Sequence, residues 1–249
     1  MIRIIFTFLF VVLFLILSIP LMIIEWIIGK FNKGISERSS LRIVQWAFKV
    51  CLFFSGVQLT VIGEENIPKD KAVLYVGNHR SFFDIVITYA RVPRPTGYVA
   101  KLSMKKIPLL NVWMRLLHCQ FLDREHVKEG LKTILKCIEL VKNDISICIF
   151  PEGTRCKEKD TFLPFHDGSF KVAQKSGCPV IPFAINNTSA IFEDQFPRIK
   201  KRHVILRYGA PVYINELSKE EQKSIGSHFQ HLVEEMYNEN QQVLNSDTK

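Results

Sequence analysis

Between positions 4 and 24 the chain is apolar except at Thr7, Ser18 and Pro20. As one helix this run would be about 30 Å long, near the thickness of a bilayer's hydrocarbon core. A cleaved secretory signal would have an apolar region of only about 7 to 15 residues and a small-x-small end. The run therefore predicts a membrane element, in which Pro20 permits a kink. A second apolar stretch, 41–56, carries Trp46, Phe48, Phe53 and Phe54, broken mainly by Arg42, Gln45 and Lys49, and predicts another helix. The pattern leaves open whether the pair spans the bilayer or lies in one leaflet. Beyond position 56 the apolar runs shorten. Segments 57–63, 72–77, 98–101, 119–122, 145–150, 180–185 and 203–208 read as strands, several apolar on both faces, as strands of a covered parallel sheet are. Helical spacing joins Val127, Leu131, Ile134, Leu135, Ile138 and Val141, and again Ile225, Phe229, Leu232, Val233 and Met236 after a capping box from Ser218 to Glu221. The alternation predicts an α/β domain over 57–249, with a mostly parallel sheet flanked by helices, behind an apolar, membrane-associated helical segment at 1–56.

Composition and charge narrow this picture. An apolar share of 47% in 249 residues excludes a disordered chain and suits one domain plus an appendage. The formal net charge is +9, yet the tail after Ile214 is acidic, so the positive charge lies on the front segment and the α/β body. The sharpest basic cluster, 198–203, has no interleaved aromatics and no accompanying motif, which argues against nucleic acid. Beside a membrane helix, anionic lipid is the better partner. Only Arg3 precedes the apolar run, whereas Lys30, Lys33, Arg38, Arg42 and Lys49 follow it; by the positive-inside rule the body faces the cytoplasm. The six cysteines include no C-x-x-C pair, and several lie in apolar runs, which suggests reduced buried thiols rather than a zinc site or a disulfide framework.

In open α/β sheets, chemistry gathers in loops beyond the carboxyl ends of strands. Two such loops are chemically loaded. The first reads Asn78-His79-Arg80-Ser81-Phe82-Phe83-Asp84 and runs into a helical segment at 85–90. On one continuous helix His79 and Asp84 would point about 140° apart; they can meet if His79 lies in the turn and Asp84 in the first helical turn. A carboxylate accepting from Nδ1–H would leave Nε2 as a base for an alcohol. Ser81-x-x-Asp84 is equally a capping box, which the spacing alone favours. The second loop reads Pro151-Glu152-Gly153-Thr154-Arg155. Gly153 would let backbone approach a ligand, Arg155 offers a planar fork for phosphate or carboxylate, and Glu152 could accept from a substrate hydroxyl. A solvated turn with an Arg-to-Glu surface pair is the plainer account.

Together, 78–84 and Phe150-Pro151-Glu152-Gly153-Thr154-Arg155 resemble the two signature blocks of the 1-acyl-glycerol-3-phosphate acyltransferases. Segment 101–124, with Lys101 after a β-like run and Phe121-Leu122-Asp123-Arg124 at its end, resembles the intervening block, and 180–184 resembles a fourth. The resemblance covers about 57–212. It implies transfer of a fatty acyl group from acyl-CoA or an acyl carrier protein thioester to the 2-hydroxyl of lysophosphatidate, giving phosphatidic acid for phospholipid synthesis. On the matching positions it implies His79 as general base and Asp84 as its orienting partner. It further implies Arg155, Lys101 and Arg124 as phosphate grips, with Glu152, Gly153 and Thr154 shaping the glycerol side. A thioester is already activated, so the reaction calls for no metal or cofactor. Backbone amides at the start of the helix carrying Asp84 are candidate oxyanion donors. Two features depart from the family: His118 stands where Gly is common, which predicts a different turn before Phe121, and His166 beside Asp167 forms a rival pair. An acyltransferase with another acceptor, such as glycerol 3-phosphate or a different lysophospholipid, and a non-catalytic lipid-binding membrane protein remain the alternatives.

Overall fold

The short apolar segments become the strands of one sheet. In the computed structural model, which describes residues 1–159 and 161–246, these are β1 (Gln58–Ile62), β2 (Leu74–Gly77), β3 (Thr96–Lys101), β4 (Gln120–Leu122), β5 (Ser146–Ile149), β6 (Val180–Asn186) and β7 (His203–Tyr208). They lie in the order β1-β7-β6-β2-β5-β3-β4. Every neighbouring pair is parallel except β6 and β7, so β1 and β7 run against the other five. The central strands β2, β5 and β6 are buried along their whole length, which is why they lack the alternation of a half-solvated strand.

The helices are α1 (Ile2–Leu17), α2 (Ile19–Phe31), α3 (Lys33–Ser55), α4 (Phe82–Tyr89), α5 (Leu110–Leu116), α6 (Val127–Lys142), α7 (Lys171–Ser176), α8 (Lys219–Lys223) and α9 (Ile225–Ser246). The capping box of Ser218 and Glu221 opens the short α8, and α9 starts separately at Ile225. Beneath one sheet face, Phe170, Phe229 and Val233 fill a core with Leu74, Val76 and Ile147.

The first apolar run departs from a continuous helix. Its two pieces, α1 and α2, meet at Ser18 with a bend of 49°, because Pro20 in the first turn of α2 has no N–H to donate and its ring would clash with the preceding turn. Among the described residues no single helix is long and apolar enough to cross a membrane, although this bent pair qualifies by length and composition. The predicted second helix is α3. It begins at the Asn32 cap, whose side chain accepts from the Ile35 amide at 3.1 Å, and ends where Gly56 turns left-handed at φ 70°. Met22, Leu41 and Val44 enter the same core as Ile87 and Tyr89 of α4. Gln45 Nε2 donates to the Val92 carbonyl at 2.8 Å, and Trp113 Nε1 donates to Ser18 Oγ at 2.9 Å. The helical segment thus packs as a layer on the sheet domain. The polar chain end from position 247 lies outside the described residues.

The turn before Phe121 passes through the left-handed region that glycine favours. His118 itself takes φ 59°, and its Nε2 is tied to Glu37 of α3 at 3.0 Å. This tertiary tie offsets the cost of a left-handed non-glycine residue.

Candidate active site

The first loaded loop leaves β2 at Gly77, where a Cβ would collide with the Phe183 ring. Asn78 then fastens it to β6: its Nδ2 donates to the Ile185 carbonyl at 2.8 Å and its Oδ1 accepts from the Ile185 amide at 2.9 Å. Held this way, His79 lies in the turn and Asp84 in the first turn of α4. His79 Nδ1 and Asp84 Oδ2 are 2.8 Å apart. Because a carboxylate only accepts, Nδ1 carries the proton. The same Oδ2 accepts from the amides of Arg80 at 2.6 Å and Ser81 at 2.7 Å, while the Ser81 hydroxyl accepts from the Phe83 amide at 3.0 Å. Asp84 is therefore both the capping-box acid and the partner of His79; the two readings open at the sequence level coexist in one side chain. The His79 ring stacks on Phe150 at 4.2 Å between centroids, fixing its plane, and keeps 15% of its side-chain surface in solvent. Among the described residues, Nε2 has no hydrogen-bond partner.

The second loop follows β5, the sheet neighbour of β2, and turns at Gly153 with φ 72°. In place of the substrate-hydroxyl contact expected of Glu152, its carboxylate is buried and already engaged. Oε1 accepts from the His79 amide at 2.7 Å, and Oε2 accepts from the Leu163 amide at 3.0 Å. Burial raises its pKa, opposed by those two hydrogen bonds and by the charge of Arg80. The Cys156 amide donates to the His79 carbonyl at 2.8 Å, a second tie between the loops. Glu152 thus positions the histidine loop. Thr154 is exposed.

Arg155 is half-buried. Its guanidinium carbon lies 4.0 Å from the centroid of the Phe82 ring, and Nη1 donates to Glu193 Oε1 at 3.0 Å. An Arg-to-Glu pair does form, then, but with a residue 38 positions away. Glu193 also accepts from the Phe82 amide at 2.8 Å and the Ser81 hydroxyl at 2.7 Å. Arg80 is buried, donates to the carbonyls of Glu158 and Thr161, and sits over the rings of Phe162 and Tyr237.

Lys101 ends β3 and Arg124 lies two residues beyond β4; both are exposed. Since β2, β5, β3 and β4 are consecutive parallel neighbours, the four loops leave the same edge of the sheet in the order His79, Glu152 to Arg155, Lys101, Arg124. At about 4.8 Å per strand this row is about 14 Å wide. The rival pair is not made: Asp167 Oδ1 accepts from the Gly226 amide at 2.8 Å, and His166 is exposed. The amides considered as oxyanion donors are occupied, those of Arg80 and Ser81 by Asp84, that of Phe82 by Glu193 and that of Phe83 by Ser81. Sequence reasoning missed Glu193, and no local signal points to it, because it lies in a short turn 112 residues from Ser81.

Residues 58–186 match the family model described as Acyltransferase. A 1-acyl-sn-glycerol-3-phosphate acyltransferase of Saccharomyces cerevisiae is 32% identical over 185 residues, covering 72% of this chain and 61% of the relative, so the chain spans about three fifths of that protein's length. The corresponding protein of Borreliella burgdorferi is 32% identical over 178 residues, covering 72% and 68%, and that of Helicobacter pylori is 30% identical over 228 residues, covering 88% and 92%. Among solved structures, the 1-acyl-sn-glycerophosphate acyltransferase PlsC from Thermotoga maritima shares the fold, with a TM-score of 0.79 over 95% of each chain at 22% identity.

Proposed function

The chain belongs to the acyltransferase family, and on that premise we propose that it transfers a fatty acyl group from a thioester, acyl-CoA or acyl carrier protein, to the 2-hydroxyl of 1-acyl-glycerol 3-phosphate, forming phosphatidic acid. The observation that carries this reading is the 2.8 Å contact between His79 Nδ1 and Asp84 Oδ2, with Nε2 left over for a substrate. His79 Nε2 takes the proton from the 2-hydroxyl as its oxygen attacks the thioester carbonyl. The imidazolium that results is stabilised by Asp84, whose own geometry the start of α4 fixes. Collapse of the tetrahedral intermediate breaks the C–S bond, and the proton held at Nε2 goes to the departing thiolate. Arg155, Lys101 and Arg124 supply the positive charge for the acceptor's phosphate, with Arg155 as the fork that can grip two oxygens. Gly153 and Thr154 border the glycerol side, where Gly153 takes a left-handed φ of 72° that a residue with a Cβ rarely adopts.

The acceptor resides in a membrane, and the surface of α1 and α2 suits that setting. Phe6, Phe8, Leu17, Ile23, Trp26 and Phe31 are exposed there, and Trp46 and Phe53 of α3 add to the patch. Lys30 lies 5.0 Å from the Trp26 ring centroid, a pairing typical of the headgroup level. The segment at 1–56 serves as the membrane anchor, with the α/β domain on the cytoplasmic face.

The test is to incubate the purified, detergent-solubilised protein with lysophosphatidate and long-chain acyl-CoA or acyl carrier protein thioester, beside glycerol 3-phosphate and other lysophospholipids. Phosphatidic acid should form fastest from lysophosphatidate. Preference for another acceptor would overturn the substrate assignment. Equal activity of wild type and His79→Ala would overturn the mechanism.

A further inference from the structure

One residue outside the matched family segment joins the two halves of the site. Glu193 opens a short turn after β6, beyond the family match at 58–186. Its carboxylate touches three groups: Arg155 Nη1 at 3.0 Å, the Ser81 hydroxyl at 2.7 Å and the Phe82 amide at 2.8 Å. The last two are the N-cap and the first residue of α4, the helix that carries Asp84. A carboxylate is favoured there by the positive end of the helix and by hydrogen bonds to charged or polarised donors. Arg155 reaches this point across the face of Phe82, the first residue of the same helix. One edge of its fork is held while its other donors remain for a ligand, and the ring below restricts the plane of the guanidinium. In solvent a long arginine side chain samples many rotamers, and ordering it on binding weakens affinity.

We propose that Glu193 is a positioning residue for the acceptor: it holds the Arg155 guanidinium against Phe82 and fixes it relative to the start of α4, so that a phosphate bound by Arg155 places the neighbouring hydroxyl at His79. The inference rests on the reading of Arg155 as a phosphate grip. The chemistry it serves is a phosphate monoester next to a secondary alcohol, whose span is short enough that a displaced guanidinium would carry the hydroxyl away from Nε2.

The test is a double-mutant cycle on the full chain, with Michaelis constants measured separately for lysophosphatidate and acyl donor, and thermal unfolding alongside. Glu193→Ala should raise the acceptor constant about tenfold, the scale for loss of a charge-assisted hydrogen bond, and leave the donor constant within about twofold. Glu193→Gln, which keeps an acceptor for the Phe82 amide but loses the negative charge facing Arg155, should fall between Ala and wild type. Adding Glu193→Ala to Arg155→Ala should change little further, because both act through one guanidinium. Independent, additive effects would overturn the proposal, as would equal rises in both Michaelis constants or an acceptor constant unchanged in Glu193→Ala while Arg155→Ala raises it. If Arg155→Ala itself leaves the acceptor constant unchanged, the phosphate-grip reading fails, and the proposal with it. A loss confined to thermal stability, with both constants unchanged, would make Glu193 a helix anchor only and overturn it as well.

Discussion

The loop after β2 and the loop after β5 are sheet neighbours, yet they are built differently. In the first, the pair is held by several contacts: Asn78 is fastened to β6, Asp84 accepts three hydrogen bonds on one oxygen, and His79 is stacked on Phe150. In the second, Glu152 is equally buried, but Arg155 stands on a half-open surface, held on one side by a carboxylate from a distant turn. The contrast fits the proposed chemistry. A base must be placed within hydrogen-bond reach of one proton, and small displacements cost rate steeply. A phosphate grip acts through charge and has to stay accessible to a ligand arriving from outside.

The sharpest way to break this comparison is at the base. His79→Ala should lower kcat by about 10² to 10⁴-fold with little change in acceptor affinity. Asp84→Asn should lose a similar factor while α4 keeps a cap, since an amide can hold the wrong tautomer of the imidazole in place; circular dichroism and product formation together would check this. Glu152→Ala comes next. It leaves the His79 and Leu163 amides without their acceptor, so urea unfolding should show a loss of about 1 to 3 kcal/mol, accompanied by a fall in kcat as the histidine loop relaxes. A milder effect is expected at the open loop, where Arg155→Lys keeps the charge but loses the planar fork and the stacking on Phe82. Its acceptor Michaelis constant should rise about three- to tenfold, with kcat nearly unchanged.

The smallest effect is a pH slope. The pKa of Glu152 is raised in the fold, so the native state binds its proton more tightly than the unfolded chain does. Its contribution to stability is therefore fully present below the ordinary glutamate value and is lost as pH rises through the folded value. Comparing wild type with Glu152→Gln by denaturation from about pH 4 upward, the stability gap between them should narrow as pH rises. A gap that widens would mean that the two amide bonds dominate over burial.

Much of this arrangement was legible beforehand. The seven strands were visible because buried β segments are short, continuous apolar runs bounded by turns, and α6 because its apolar face repeats at helical spacing. The ordered blocks at 78–84 and 150–155 were visible because local turn chemistry and reactive side chains coincide in them. Other features were hidden for physical reasons. Glu152 looked like a substrate ligand because nothing in its neighbours reveals that two amides will close on it. The left-handed turn at His118 is tied by Glu37, far away in sequence.

Periodicity, turn residues and charge order alone determined the class of sheet and the apolar front, because those depend on interactions among residues close in the chain, while the two loops took their reactive reading from the family resemblance of their ordered blocks. Folding in three dimensions decided which carboxylate serves which partner. Asp84 turned out to have two duties, Glu152 was withdrawn into the interior, and Glu193 was brought across 112 residues to the start of α4. Hydrogen-bonding groups pair with whatever the packed backbone sets within about 3 Å, and that distance carries no trace in sequence separation.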